Sequence, residues 1–301
     1  MTKNILIDKL PTKTWNFLKV NSAEIQWDSE SAAKTEENEP VRLDNSGAEG
    51  YTEKVVNVKA EKAAKGVIFE VCRGNAHMLS RVNIDLEEGA EVKLVMLLEP
   101  SENGLVRHEV RAECGVNSHI HIMTVMIGSG DIYSDDHVTL SGDGARFDAD
   151  TAYLGKNSQT IDYNIVADHF GKKTESLITV NGALTDSAKK VFRGTIDFKK
   201  GSADSVGSEN ETVLMLGDDV VNKTVPLILC AEENVEGTHG ATIGELDADT
   251  MFYFESRGID RETAEKIMAY AAVERLIHMA EDSEFAAEVE KDMGIKTDTE
   301  E

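Results

Sequence analysis

Between Glu53 and Gly244 the chain alternates apolar and polar residues in short runs: VVNVKA (55–60), GVIFEV (66–71), RVNIDL (81–86), EVKLVMLLE (91–99), HIHIMTVMI (119–127), IDYNIVA (161–167), FRGTIDF (192–198) and TVLMLG (212–217). These runs are rich in Val, Ile and Thr. A period of two puts successive side chains on opposite faces, the pattern of a strand with one buried side. Small pairs interrupt the runs at Gly89-Ala90, Gly144-Ala145, Gly182-Ala183 and Gly201-Ser202, and read as tight corners used repeatedly. Almost no helical period fits this span. A β chain of this length closes as a sandwich, a barrel or a solenoid, and the recurring glycine corners favour the solenoid.

The flanks read differently. Residues 1–50 are predicted to be irregular. Within them LPTKTWNFLKVN supplies Trp15, Phe17 and Leu18 as anchors to the core, and Ser29–Pro40 is an acidic surface loop. At Leu246 the period shifts toward helix. Asp247 or Asp249 is a candidate N-cap and Gly258 a C-terminal stop. Asp260 caps a second helix with a mostly apolar stripe of Ile267, Met268, Ala271, Ala272, Arg275, Leu276 and Met279. A third helix starts at Ser283, carries Phe285, Val289 and Met293 at i, i+4 and i+8, and stops at Gly294 before a frayed KTDTEE tail. The expected organisation is therefore a segment 1–50, a β core 51–245 and a helical unit 246–301.

Charge narrows the class of partner. With 31 basic and 56 acidic residues the net charge is −25, yet 41% of residues are hydrophobic, so the chain is globular rather than an acidic disordered polymer. Such a balance opposes nucleic acid or an anionic membrane surface as partner. Cys72, Cys114 and Cys230 are too few and too widely spaced for a disulfide framework. The N-terminus has no basic start followed by an apolar run, and no stretch is long and apolar enough to span a bilayer, so a cytoplasmic location is expected.

Chemistry-bearing motifs are sparse. No phosphate-binding G-x-x-x-x-G-K-[ST] occurs, so nucleotide hydrolysis by this chain is not expected. His119 and His121 share one face of a strand, as a metal-binding pair or as polar surface. Cys72 and Cys114 read as small packed groups, and His169 as a loop hydrogen-bonding residue. The densest constellation is LILCAEENVEGTHGATIGELD (227–247), which gathers Cys230, Glu232, Glu233, Glu236 and His239, the ligand types of iron and zinc. An extended chain puts Cys230 and Glu232 on one face, and the glycine turn expected ahead of His239 allows it to fold back toward them.

In this same region THGATIGELDADTMFYFESRGI (238–259) closely resembles the C-terminal motif of the SufB/SufD family of iron–sulfur cluster assembly proteins. LPTKTWNFLKVN (10–21) and KKVFRGTIDFKKGSADSVGSENETVLMLGDD (189–219) resemble further segments of that family, and the whole is similar to its short, SufD-like or SmsB-like members. The resemblance implies a right-handed parallel β-helix followed by a small C-terminal α-helical domain. It implies a non-enzymatic scaffold that forms a homodimer, or a heterodimer with a SufB-like chain, through its β-helix. Such a scaffold binds a SufC-like ABC ATPase through its C-terminal helices and holds a transient iron–sulfur cluster near the dimer interface. Carried over residue by residue, His239 matches the histidine of the SufD-type HGAT motif, while Gly240 stands where SufB has glutamate. Glu211 or its neighbours stand in the place of the SufB acceptor cysteine, and Gly237 where SufD often has cysteine. Cys230 is then the expected thiolate, with Glu232, Glu233 and Glu211 as carboxylates. Phe252, Tyr253, Arg257, Gly258 and Ile259 are the expected ATPase contact, unless Phe252 and Tyr253 are core. Two other readings stand beside this one: a carbohydrate-active enzyme on a β-solenoid, and a SUF paralogue with a purely structural role.

Overall fold

The computed structural model describes residues 2–14 and 16–293, apart from the side chain of Asp292. Trp15, Gly294 and the KTDTEE tail lie outside the described residues. Strands β1 (Lys3–Ile7) and β2 (Ala23–Trp27) form an antiparallel ribbon. Sixteen further strands come after it: β3 (Ala33–Asn38), β4 (Arg42–Gly47), β5 (Tyr51–Ala60), β6 (Lys65–Gly74), β7 (His77–Leu86), β8 (Glu91–Pro100), β9 (Leu105–Cys114) and β10 (His119–Met126). They continue with β11 (Asp131–Leu140), β12 (Arg146–Gly155), β13 (Thr160–His169), β14 (Glu175–Leu184), β15 (Lys189–Phe198), β16 (Ser205–Met215), β17 (Val221–Cys230) and β18 (Val235–Gly244). The odd-numbered strands β3 to β17 form one eight-stranded parallel sheet and the even-numbered strands β4 to β18 another. The chain thus passes from one sheet to the other and back, a parallel β-solenoid.

Alternation explains the core. On β15, Phe192, Ile196 and Phe198 point inward; on β13, Ile161, Tyr163 and Ile165; on β8, Val92, Leu94, Met96 and Leu98; all pack in one interior cluster. Gly89, Gly144 and Gly201 have φ of 69°, 71° and 105°, so these corners need the conformational freedom expected of them. Gly182 differs. It lies inside β14, and a Cβ there would stand 2.3 Å from the Tyr153 ring, so it makes room for that interior side chain.

The N-terminal flank departs from expectation in two ways. Residues 1–50, read as irregular, contain β1 to β4, and the supposed acidic loop carries β3, whose residues are all exposed. A strand with no apolar face leaves no period-two signal, yet its backbone pairs with β5. Phe17 and Leu18 are 72% and 42% exposed, and so do not anchor the segment. That work falls to Ile7, Ile25 and Trp27, which pack on Leu79 and Tyr133 on the outer face of the odd sheet.

Three helices come after the solenoid: α1 (Ala248–Ser256), α2 (Arg261–Met279) and α3 (Ser283–Asp292). Asp247, Asp260 and Asp282 cap them, each accepting a bond from a backbone N–H three residues on. Val273, Leu276, Ile277, Phe285 and Val289 bury against Val95, Leu97, Met123, Val125 and Ile127 on the outer face of the even sheet. This explains why β8 is apolar on both faces. At roughly 1.5–3 kcal/mol for each large side chain, such burial far outweighs the surface ion pairs of Arg42 with Glu284 and Glu288 at the same junction.

Candidate functional site at the end of the solenoid

Strands β17 and β18 end the two sheets, each pairing on one side only. Register identifies their inward faces. Phe192, Ile196 and Phe198 are partnered by Thr224, Ile228 and Cys230. On β18, Val235, Gly237, His239, Ala241 and Ile243 continue the columns of Ser205, Gly207, Glu209, Glu211 and Val213. The close approach of a Gly237 Cβ to Ile228 (2.9 Å) and Phe198 (3.1 Å) agrees with that assignment. Among the described residues no further rung covers these positions, so Cys230 and His239 are exposed although both lie in core phase.

One rung below, the interior turns polar. The ammonium of the fully buried Lys190 is paired with the Glu211 carboxylate, which also accepts a bond from Thr224 Oγ1 at 2.6 Å. Burial pulls the Lys190 pKa down, against the opposing pull of Glu211. The Glu209 carboxyl lies over Gly194, where any Cβ would overlap it. Burial, and then the charge of Glu211, push Glu209 up to about 7. Sequence reasoning missed Lys190 and Glu209. The signal was their phase: Lys190 shares parity with Phe192 and Ile196, and Glu209 with Val213.

The 227–247 constellation is not gathered within one chain. His239 stands inside β18, not after a turn, and four residues beyond its start, about 13 Å at ~3.3 Å per residue. Cys230 ends β17, before the corner. The Glu232 carboxylate accepts bonds from the backbone N–H groups of Gly201 and Glu233, both at 3.0 Å, which lower its pKa. Glu233 is exposed on that corner, and Glu211 is held inside by Lys190. Among the described residues no three His, Cys, Asp or Glu side chains converge to hold a metal ion.

The remaining candidates have structural partners. His119 and His121 contact Asp148 and Asp150 of the next strand, each at 2.9 Å. Cys72 and Cys114 are buried, and burial raises both thiols, Cys114 to about 12. His169 bonds to the hydroxyls of Thr174 (2.7 Å) and Ser176 (2.9 Å), while Asp168 pairs with Lys199. On α1, Met251 is buried, whereas Phe252 and Tyr253 are 72% and 56% exposed, so these two are not core. The Arg257 guanidinium lies 5.1 Å from the Tyr253 ring centroid, and Gly258 turns the chain with φ of 78°. No helix among the described residues is long and apolar enough to cross a membrane.

The chain is 31% identical over 156 residues to the iron–sulfur cluster assembly protein SufD of Bacillus subtilis, covering 52% of this chain and 36% of that one. It is 24% identical over 243 residues to an iron–sulfur cluster assembly SufBD family protein of Pyrococcus horikoshii, covering 78% and 53%. It is 28% identical over 182 residues to a chloroplastic SufBD family protein of Arabidopsis thaliana, covering 60% and 32%. The matched part thus spans about a third to a half of the length of these relatives. Residues 42–272, from β4 into α2, match the family described as SUF system FeS cluster assembly, SufBD core domain, and the chain belongs to that family.

Proposed function

We propose that the chain is a non-enzymatic scaffold on which an iron–sulfur cluster is assembled as cargo. Two copies, or this chain and a SufB-like partner, meet through the exposed last rung. The observation that carries this reading is the pair His239 and Cys230, both in core phase and both uncovered at the end of the solenoid. Within one chain they are too far apart to share an ion. Two facing rungs supply two imidazoles and two thiols, and an isologous contact repeats each ligand by symmetry. Glu232, Glu233 and Glu211 rank below them, since Glu232 and Glu211 already have hydrogen-bond partners.

A SufC-like ABC ATPase docks on α1 and the turn after it, with Phe252 and Tyr253 as apolar anchors and Arg257, Gly258 and Ile259 shaping the turn. The location is cytoplasmic, and ATP is hydrolysed by the partner. Anaerobic reconstitution with iron and sulfide tests the cluster site. Cys230→Ala and His239→Ala are each expected to abolish the charge-transfer absorption at unchanged thermal stability, and normal loading of both variants overturns the assignment. For the ATPase, Arg257→Glu is expected to weaken co-purification at least tenfold, and undiminished capture moves the contact elsewhere.

A further inference from the structure

The base of the N-terminal ribbon holds a second buried ionic site. Asp8, just after β1, is 3% exposed. Leu10 N donates to Asn21 O at 3.0 Å, closing the loop between β1 and β2. Asp8 faces the outer surface of the odd sheet, where β13 presents Asp162, β11 presents Asp135 and Tyr133, and β15 presents Arg193. Arg193 is fully buried, gives Asp162 a two-pronged ion pair, and donates from Nε to Val20 O at 2.5 Å. Asp135 is separately engaged by Arg111 and His137. Asp8 Oδ2 has no hydrogen-bond donor among the described residues. One guanidinium therefore serves Asp162 while a second buried carboxyl stands against it.

We propose that docking of the β1–β2 ribbon is proton-linked, with one proton held between the carboxyls of Asp8 and Asp162 latching the ribbon over Arg193. While that proton is present, one carboxyl donates to the other and the site carries one negative charge against one guanidinium. When it leaves, two adjacent carboxylates share Arg193 in a dry site, and the ribbon loosens at its base. Burial raises the Asp8 pKa well above the ordinary carboxylate range, and the charge of Asp162 adds to that, in keeping with the geometry. A raised carboxyl pKa in the docked state means that docking is favoured at lower pH and weakens as pH rises through the Asp8 titration.

Hydrogen exchange on the full chain, corrected for intrinsic rates between about pH 5 and pH 9, tests the latch. Protection in residues 7–10 and 20–25 is expected to fall by up to about tenfold per pH unit between the ordinary carboxylate range and the raised Asp8 titration, and to level off above it. Asp8→Asn supplies a permanent donor to Asp162 and is expected to hold protection level across the range. Identical pH profiles for wild type and Asp8→Asn overturn the proposal. A carbon-detected titration of wild-type Asp8 gives an independent reading, and ionisation in the ordinary carboxylate range overturns it too.

Discussion

His169 sits in the solenoid interior against the Phe198 ring, with two hydroxyls and, among the described residues, no carboxylate as hydrogen-bond partners. Burial drives its pKa down to about 4, so the folded protein holds it neutral where the unfolded chain already binds a proton. Its contribution is complete above the unfolded value and is lost as pH falls toward 4, at about 1.4 kcal/mol per unit, or roughly 3 kcal/mol in all. Thermal melts between pH 7 and pH 4 are expected to show this loss, and His169→Gln to flatten it; an unflattened curve contradicts the account. Gly182 gives a steric counterpart. A methyl at 2.3 Å from the Tyr153 ring forces that fully buried side chain to move, so Gly182→Ala is expected to cost about 1–3 kcal/mol by denaturant unfolding. Neither environment was legible in the sequence, where Gly182-Ala183 resembled a corner and His169 a hydrogen-bonding residue of a loop. Period two gives the side of the strand, not what stands across the core.

At the scale of elements, legibility tracked the strength of the period. The strands with one apolar face, and the i, i+4 pair Phe285 and Val289 of α3, are buried as their spacing implied. Helix α2 is different. Ala and Met lie around most of its circumference, and the stripe chosen from sequence is rotated: Ile267 is 41% exposed, while Ala264, Ala269, Val273, Leu276 and Ile277 are buried. A weakly amphipathic helix takes its orientation from the surface it meets, here the apolar outer face of β8 and β10. Phe285 closes that contact beside Phe69, with ring centroids 6.3 Å apart. Phe285→Ala is expected to cost about 3–5 kcal/mol and to release α3 first, seen as exchange of 283–292 ahead of the solenoid; simultaneous loss of both places the stability of the two parts in one unit.

For the whole molecule, the solenoid class was readable from the corners and the absence of helix, but the identity of its uncovered end was not. That end is set by the path of the chain beyond β18, which leaves for the outer face of the even sheet instead of capping the rung. The result is a strand exposed along nearly all of its length, whose inward column ends in Ile243, 48% exposed. An uncovered rung of this kind is an open template for another chain. If two copies meet there, Ile243 enters the shared interface while remaining at the surface of the separate chain. Ile243→Lys then separates assembly from folding. A lysine on each copy in a desolvated contact costs several kcal/mol, so the dimer constant is expected to weaken by about a thousandfold or more. Light scattering at micromolar concentration is expected to give half the wild-type mass, with the thermal midpoint nearly unchanged and cluster loading lost along with the dimer. A dimeric Ile243→Lys protein moves the interface off the last rung. A monomeric variant that still loads a cluster shows that one chain supplies every ligand, against the spacing of Cys230 and His239.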